Sequence, residues 1–583
     1  MKRWIQIWRA PAVVVGLWCL LASCDPVSPQ RHGTEAGETV ADVLWFTDEA
    51  SRWGVDFVHQ SGADGRYLLP EIMAGGVALL DVDGDGDLDL YLVQSGGMDE
   101  HGQAVPNDGN VLYLNEEDRF IRSTDPGHAD QGYGVGVVVG DYDGDTDMDI
   151  YVTNVGANVL LRNDGSGRFV DVTEDSGVGD DGFGTAGTFF DADNDGDQDL
   201  FLVNYIAWGI GIERQCHDYG TGVRNYCDPG NYDAPAQDRL YRNNGDGTFS
   251  DITRRAGLTS VTGNGLGTVS ADFNSDGLLD LFVANDKTMN QLWINQGDLR
   301  FEDRAVEWGA ATDDHGIAKA GMGIVTGDVD NDADLDVLVV NIEGETDSYF
   351  RNDGDYFIDA TARVGLGSTS RRYTRFGVVL ADLDNDGVLD LYEANGRVTY
   401  TPEPEDPADV YAEPNVLYRG QEVDSGIRFG VLPQGGLGQD IYQTSRGLAL
   451  GDLNGDGSLD LIIANRDSRP NVLINQQREH EWVRVVAVDD RGVVPHALIS
   501  GRPDGSERVV TRQVQVAGSY VAAHEPVAHF GLGSATGLVD VIVLWPDGER
   551  ESFGDLQSRG GGTKTKVRHR LVGCHIAPRH LHL

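Results

Sequence analysis

The chain has 583 residues, of which 95 are Asp or Glu and 44 are Lys or Arg, so its formal net charge is −51. This acidity excludes nucleic acid as a partner, because contact with the phosphate backbone requires a basic surface. Hydrophobic residues make up 40% of the chain, enough for a core, which excludes a largely disordered protein. Glycine occurs 77 times, well above the usual share of about 7%, and predicts many tight turns.

The first 23 residues predict a lipoprotein signal peptide. Basic residues precede an apolar run at 11–22, which is shorter than the roughly 20 residues of a membrane-spanning helix. Residues 21–24 read Leu-Ala-Ser-Cys and resemble the lipobox of bacterial lipoproteins, which implies cleavage before Cys24 and lipidation of that cysteine. An ordinary signal peptide is the alternative. Residues 24–41 are polar and predict a tether, so we expect an exported protein, periplasmic or at the cell surface, held to a membrane by its lipid anchor only.

A nine-residue acidic pattern recurs seven times and dominates the sequence. We number these segments acidic loops 1 to 7; they are residues 81–89, 141–149, 191–199, 272–280, 328–336, 382–390 and 452–460. Each loop carries an Asp or Asn side chain at positions 1, 3, 5 and 9, and five of the seven have glycine at position 6. Repetition at this spacing predicts a propeller or another repeat architecture.

Four oxygen-bearing side chains in a fixed phase predict one calcium site per loop, up to seven in all. Calcium takes six to eight oxygen ligands, and a glycine bend lets such a loop wrap around one ion. A row of Asp-Gly hairpin turns is the alternative, but it explains one Asp and one Gly rather than four ligands in phase. The predicted ligands, loop by loop, are Asp81, Asp83, Asp85 and Asp89; Asp141, Asp143, Asp145 and Asp149; Asp191, Asp193, Asp195 and Asp199; Asp272, Asn274, Asp276 and Asp280; Asp328, Asp330, Asp332 and Asp336; Asp382, Asp384, Asp386 and Asp390; and Asp452, Asn454, Asp456 and Asp460.

Four loops depart from the pattern. Thr146 and Ala333 replace the bend glycine, and residues with a Cβ tolerate a positive φ poorly. Asn274 and Asn454 replace a carboxylate by a neutral amide oxygen. We therefore expect these four loops to bind calcium more weakly than loops 1, 3 and 6.

Short apolar and aromatic segments flank every acidic loop. Each repeat reads strand, acidic loop, strand, long loop, strand, tight turn, strand, which predicts an all-β, seven-bladed β-propeller over residues 42–478. An open solenoid is the alternative. The seventh repeat has no fourth strand of its own, so we expect residues 43–48 to pair with 471–475 and complete that blade.

The repeats and the C-terminal segment resemble a known family. The motif D-x-D-x-D-G-x-x-D, followed by N-x-L-Y-x-N-x-G-D-G-x-F-x-D-x-T, resembles the FG-GAP and VCBS repeats of integrin α-chain propellers. Residues 69–76 resemble the cartilage acidic protein family, and residues 518–520, 529–533 and 545–548 resemble its ASPIC/UnbV domain. The resemblance implies a calcium-binding propeller and says little about molecular function.

The segment after the repeats divides into two parts. Residues 479–557 alternate apolar and polar side chains between Pro-Asp-Gly turns, which predicts a small antiparallel β-domain. Residues 558–583 are basic and rich in histidine, and we expect a poorly ordered tail.

The two longest loops outside the acidic pattern, 204–237 and 394–414, predict a partner-binding face. In an oxidising compartment Cys216 and Cys227 predict a disulfide within the first of them, with a zinc site as the alternative. We expect exposed aromatic side chains there to contact a protein or glycan ligand; packing within the loops' own small core is the alternative. The candidate residues are Tyr205, Trp208, Tyr219, Tyr226, Tyr232, Tyr400 and Tyr411.

The sequence carries no H-E-x-x-H, G-x-S-x-G or P-loop motif. The Asp spacing favours ion ligation over acid–base chemistry, because a carboxylate held by calcium is a poor general acid. We therefore expect a binding or adhesion module rather than an enzyme. A calcium-dependent polysaccharide lyase or hydrolase on a propeller scaffold is the alternative.

Overall fold

The computed structural model describes residues 44–569 apart from 74, 424–425, 490, 495 and 559–561. The signal peptide, Cys24, the tether at 24–41 and residues 570–583 of the basic tail lie outside the described residues. Among the residues that are described, no helix is long and apolar enough to cross a membrane.

Each acidic-loop repeat contributes three or four antiparallel strands to one sheet, and the described residues contain seven such sheets, numbered here as the loops are. The acidic loop joins the first strand of its sheet to the second, as predicted. In sheets 1 to 3 the strands are Val77–Leu80, Asp89–Leu92, Val111–Asn115 and Phe120–Arg122; Gly134–Gly140, Asp149–Asn154, Val159–Asn163 and Phe169–Asp171; and Gly184–Phe190, Asp199–Asn204, Arg239–Asn243 and Phe249–Asp251. In sheets 4 and 5 they are Gly265–Ala271, Asp280–Asn285, Gln291–Asn295 and Phe301–Asp303; and Ile324–Gly327, Asp336–Val339, Ser348–Asn352 and Phe357–Asp359. In sheets 6 and 7 they are Arg375–Ala381, Asp390–Asn395, Val416–Val423 and Gly426–Leu432; and Ser445–Gly451, Asp460–Asn465, Asn471–Asn475 and Phe46–Asp48.

The fourth strand of sheet 7 comes from the N-terminal end of the described chain. Phe46, Thr47 and Asp48 pair antiparallel with Asn475, Ile474 and Leu473, so the predicted pairing is confirmed. Phe46 is completely buried there. The first strand of each sheet also contacts the first strand of the next, and that of sheet 7 contacts that of sheet 1. The sheets therefore follow one another in a propeller-like array.

A side-chain hydrogen bond links most neighbouring sheets. The third strand ends in Asn in six of the seven sheets described. The side-chain amide of that Asn donates to a backbone carbonyl in the acidic loop of the preceding sheet; for sheet 1, this is the loop of sheet 7. Asn163 of sheet 2 donates to Val82 of loop 1 at 2.8 Å, for example. Gly420 occupies this place in sheet 6, where the link is missing because glycine has no side chain.

The remaining helices and strands are short and lie in the connections. The helical segments are Ala50–Trp53, Leu69–Ile72, Pro126–His128, Thr173–Ser176, Pro229–Asn231, Thr253–Ala256, Leu258–Ser260, Leu366–Thr369 and Pro433–Gly436. The two-residue strands are Gly97–Met98 with Ala104–Val105, Cys216–His217 with Arg224–Asn225, and Glu413–Pro414 with Tyr442–Gln443.

The chain after sheet 7 forms a second β-structure, which we call the terminal domain (residues 481–569). One sheet contains Glu481–Val488, Ala528–Gly533 and Thr563–Arg568; the other contains Leu498–Pro503, Val510–Gln513, Gly537–Leu544 and Arg550–Gln557. One expectation is wrong here. Thr563–Arg568, part of the predicted poorly ordered tail, is a strand that pairs parallel with Glu481–Val488.

A hairpin of the terminal domain extends sheet 1. Ala522–Ala523 pairs parallel with the start of Val77–Leu80, and Ala517–Gly518 pairs with Ala522–Ala523. Between them, Ser519 exchanges backbone hydrogen bonds with Ile324 of sheet 5 at 2.7 and 3.0 Å. Tyr520 is completely buried among residues from several sheets. This hairpin therefore fastens the terminal domain between the first strands of the array.

Candidate metal centres in the acidic loops

All seven acidic loops share one backbone conformation. The residue at position 6 has a positive φ in every copy, including Thr146 at 79° and Ala333 at 77°. The bend thus survives without glycine, at a cost in strain for the two side chains. Position 4 is also left-handed throughout, with φ of 75° at Gly84 and 59° at Asn385. The sequence signal for this second bend, Gly, Asn or Ser at position 4, was present and was missed.

The first Asp of each loop closes the loop on itself. One of its carboxylate oxygens accepts the backbone N–H of position 6 in all seven copies. In loop 1 Asp81 accepts Gly86 N–H at 3.0 Å and Gly84 N–H at 2.8 Å. These bonds fix the orientation of the position-1 carboxylate relative to the two bends.

The ninth Asp ties the loop to the sheet. In loop 1 one oxygen of Asp89 accepts Val82 N–H at 2.9 Å, and the other accepts the N–H of Asn115, on the third strand, at 2.8 Å. The same pair of bonds recurs in the other six loops. A carboxylate has about four lone-pair sites, so these two bonds leave capacity for a metal ion. Position 9 therefore has a structural role that the ligand pattern alone did not indicate.

The carboxylates converge as a metal centre requires. In loop 1 candidate ligand atoms of positions 1, 3 and 5 lie within 4.8 Å of one another, and in loops 2 and 3 those of positions 1, 3 and 9 do so; the residues are Asp81, Asp83 and Asp85; Asp141, Asp143 and Asp149; and Asp191, Asp193 and Asp199. Four loop carboxylates also have one buried oxygen with no hydrogen-bond partner: Asp193, Asp330, Asp382 and Asp452. An all-oxygen donor set suits a hard cation such as calcium. The residues present therefore fit the predicted ion.

Burial makes these carboxylates difficult to ionise without a cation. It raises the pKa of Asp89 to about 7, of Asp149 to about 9 and of Asp199 to about 8. At position 1, burial raises the pKa of Asp191 to about 6 and of Asp382 to about 8. A bound divalent ion would offset the burial and stabilise the ionised form.

Arginines from the third strands contact several loops. Arg242 lies 3.2 Å from Asp193 and 2.8 Å from Asp195, and Arg419 lies 2.7 Å from Asp384. The arginine side chains are 35% and 40% exposed. Ion pairs this exposed contribute about 0–1 kcal/mol, so a metal ion could displace the arginines from these carboxylates at little cost in free energy.

The long-loop aromatics are mostly buried, so the expectation that they form an exposed contact surface is wrong for four of them. Tyr205, Tyr226, Tyr232 and Tyr411 are 1 to 9% exposed. They pack in one cluster, and three of their hydroxyls donate to carboxylates: Tyr205 to Asp286 at 2.7 Å, Tyr226 to Glu71 at 2.9 Å and Tyr232 to Glu213 at 2.7 Å. Trp208 and Tyr400 are half-buried.

Tyr219 alone among the seven candidates is fully exposed. It lies at the tip of the hairpin that Cys216 and Cys227 close; these two cysteines form a disulfide, which confirms the predicted bond. The hairpin is thus a rigid support for one exposed ring.

Two protein-family models match the chain. The FG-GAP-like repeat model matches residues 81–152, 141–202, 230–283, 272–339 and 328–393. The ASPIC and UnbV model matches residues 497–563, within the terminal domain. Both resemblances predicted from the motifs are confirmed.

The chain is similar to cartilage acidic protein 1 of vertebrates. It is 24% identical to the Xenopus tropicalis protein over 511 residues, covering 81% of this chain and 70% of that one. It is 28% identical to the Homo sapiens protein over 315 residues, covering 52% and 44%. The chain thus spans less than half of the human relative. Neither name is that of an enzyme.

Solved structures show only distant likeness. A lectin of Agrocybe aegerita that recognises non-reducing terminal N-acetylglucosamine aligns with a TM-score of 0.34 and 15% identity, covering 76% of this chain and 94% of the lectin. YCF48 bound to D1 peptide aligns with a TM-score of 0.38 and 7% identity, covering 72% and 97%. Both TM-scores lie below 0.5, so these structures indicate neither a ligand nor a partner for this chain.

Proposed function

Since the FG-GAP-like repeat model and the ASPIC and UnbV model both match the chain, we propose that it is a calcium-stabilised, seven-bladed propeller that acts as a binding or adhesion module. The observation that carries this proposal is the shared backbone geometry of the seven acidic loops, each with the same two bends and the same hydrogen bonds accepted by its first and ninth Asp. Seven independent hairpin turns would not need four oxygen-bearing side chains in phase. Calcium would bind in up to seven loops and hold each first strand against its second.

Closure of the seven sheets into a ring is part of the proposal. Two contacts support it: the pairing of Phe46–Asp48 with Asn471–Asn475, and the contact between the first strands of sheets 7 and 1. Full closure removes exposed strand edges, which otherwise promote aggregation.

The partner surface would be the face away from the acidic loops. The connections between second and third strands lie there, including the disulfide hairpin with its exposed Tyr219. Rigid loops carrying an exposed aromatic side chain suit recognition of a protein or glycan. We identify no catalytic constellation among the described residues that would support an enzymatic role.

Export as a lipoprotein completes the proposal. The residues that carry it are the apolar run at 11–22 and Cys24, and the tether at 24–41 would let the propeller reach away from the membrane. The disulfide between Cys216 and Cys227 agrees with an oxidising compartment.

A glycan array and a pull-down with the mature chain, each with millimolar calcium and with chelator, test the binding function. We expect a saturable ligand that is lost in chelator and weakened by Tyr219→Ala. Tyr356→Ala is the matched control, because Tyr356 is an exposed tyrosine in a turn of sheet 5. Binding that survives chelator and Tyr219→Ala alike would contradict the proposed surface.

A further inference from the structure

The terminal domain covers acidic loops 6 and 7. In loop 6, Gly533 N–H donates to the carbonyl of Asn385 at 2.8 Å, and Arg508 donates to the carbonyl of Gly387 at 2.5 Å. His529 Nε2 lies 2.6 Å from the Asn385 side chain. Asn385 and Gly387 are positions 4 and 6, the two left-handed bends, so these bonds form only when the loop has its native conformation.

Loop 7 is held by a different part of the same domain. Arg484 lies 2.7 Å from Asp452, the first-position carboxylate, and both side chains are at least 96% buried. The ring of Trp482 packs against the bend glycine, Gly457, so tightly that a Cβ there would collide with it. The domain therefore constrains the ligand-bearing end of loop 7.

Burial separates these loops from loop 1. Asp382 and Asp452 at position 1 and Asp384 at position 3 are buried, whereas the corresponding residues of loop 1, Asp81 and Asp83, are half-buried. In loop 6 the difference arises from the overlying domain, because Gly531 lies so close to the Asp382 carboxylate that an added Cβ would collide with it. In loop 1 an added Cβ at Gly84 or Gly86 would meet no atom within 4 Å, so loop 1 provides an internal reference.

We propose that calcium binding in acidic loops 6 and 7 and docking of the terminal domain strengthen each other, with Arg508 and Arg484 as positioning residues. This inference rests on the proposed calcium function. The domain fixes the bends and orients a ligand carboxylate, as outer-shell groups do in other metal sites. Coupling between two binding events is reciprocal, so calcium must stabilise docking by the same factor as docking strengthens calcium binding.

Calcium titration of the mature chain against a competing chelator tests whether docking of the terminal domain strengthens calcium binding. Arg508→Met should raise the dissociation constant of one calcium ion about tenfold, which is the lower end of the effect of losing an outer-shell group. Arg550→Met is the control, because Arg550 is exposed on another strand of the same domain. Arg484→Met should weaken calcium binding in loop 7 in the same way. If this buried substitution prevents folding, Arg508→Met still tests the proposal, because Arg508 is partly exposed.

Ligand variants assign the effect to a loop. In an Asp384→Asn background, where loop 6 has lost a ligand, the effect of Arg508→Met should disappear. In an Asp83→Asn background, where loop 1 is impaired, it should persist. Unchanged calcium constants in Arg508→Met, or an equal loss in both backgrounds, would overturn the coupling.

Hydrogen exchange of the unmodified chain tests whether calcium stabilises docking of the terminal domain. The amide of Gly533 should exchange at least about tenfold faster in metal-free protein than in calcium, while Val541 within the domain's own sheet should change less. Absence of bound calcium would refute the proposed function itself. Calcium binding with unchanged exchange at Gly533 would refute only the coupling.

Discussion

The side-chain amide of Asn115 donates a 3.0 Å hydrogen bond to the backbone carbonyl of Leu453, and thereby joins sheet 1 to acidic loop 7. The two residues lie at opposite ends of the repeat array in the sequence. Five other Asn residues make the same bond to the acidic loop of the preceding sheet. The bond across the first and last sheets is therefore the same structural link, used to connect the ends of the array.

Asn115→Leu should destabilise the protein by about 1–3 kcal/mol, because it leaves the buried Leu453 carbonyl without its donor. Denaturant unfolding in millimolar calcium measures this loss, and Asn244→Leu at an exposed turn serves as the control. The number of bound calcium ions should not change, since Asn115 is not a predicted ligand. A stability equal to that of the control would mean that the end sheets are held together without this bond.

Calcium should raise the stability of the mature chain markedly. Saturation at 100 times the dissociation constant adds about 2.7 kcal/mol for each independent site. Thermal unfolding in millimolar calcium, compared with metal-free protein, should therefore show a large upward shift in Tm. Magnesium at the same concentration controls for ionic strength. Equal midpoints, with no calcium detected by elemental analysis, would refute the metal sites.

The stability of the metal-free protein should fall as the pH rises from about 4 to 8. The folded-state pKa values of Asp89 and Asp199, about 7 and about 8, exceed the value near 3.9 of an unfolded Asp. The folded state thus binds more protons than the unfolded state in that window, and stability declines with pH. Calcium should flatten this dependence and release protons on binding, which calorimetry in buffers of different ionisation enthalpy measures. A metal-free Tm that increases over this range would contradict the sign.

Thr146→Gly should stabilise the protein by about 1 kcal/mol, because a β-branched residue is strained at a positive φ. Thr146 adopts φ of 79° at the bend of loop 2. The matched reverse change, Gly86→Thr in loop 1, should destabilise by a similar amount, since Gly86 has φ of 95° and no neighbour within 4 Å of an added Cβ. Urea unfolding in calcium measures both. Opposite signs for the two variants are required; two destabilising changes would point to a role for the Thr146 side chain.

Cys24→Ser should abolish labelling by a fatty-acid analogue and move the protein out of the membrane fraction. The prediction depends on the lipobox-like residues 21–24. Cys19→Ser, inside the apolar run, is the matched control and should retain the label. Persistent labelling of Cys24→Ser would show that the membrane attachment has another origin.

Short sequence motifs were enough to predict the repeating part of the molecule. Strand order, the position of the acidic loops and the disulfide follow from motifs whose structure is set by neighbouring residues. The pairing of Phe46–Asp48 with the last repeat follows from the count of strands, because the seventh repeat has no fourth strand of its own. Glycine or Asn favours a left-handed bend, and an antiparallel strand pair is favoured by a tight turn between its strands. Such local requirements can be recognised in the sequence without knowledge of the rest of the chain.

Tertiary structure alone decided which surfaces are covered. The burial of Tyr205 and Tyr226, the insertion of Tyr520 between the sheets, and the docking of Arg484 on Asp452 depend on contacts between distant segments. An aromatic or charged residue in a loop has the same local sequence whether its side chain faces solvent or another domain. Its burial is set by the shape and charge of what packs against it, and that is determined only when the whole chain is folded.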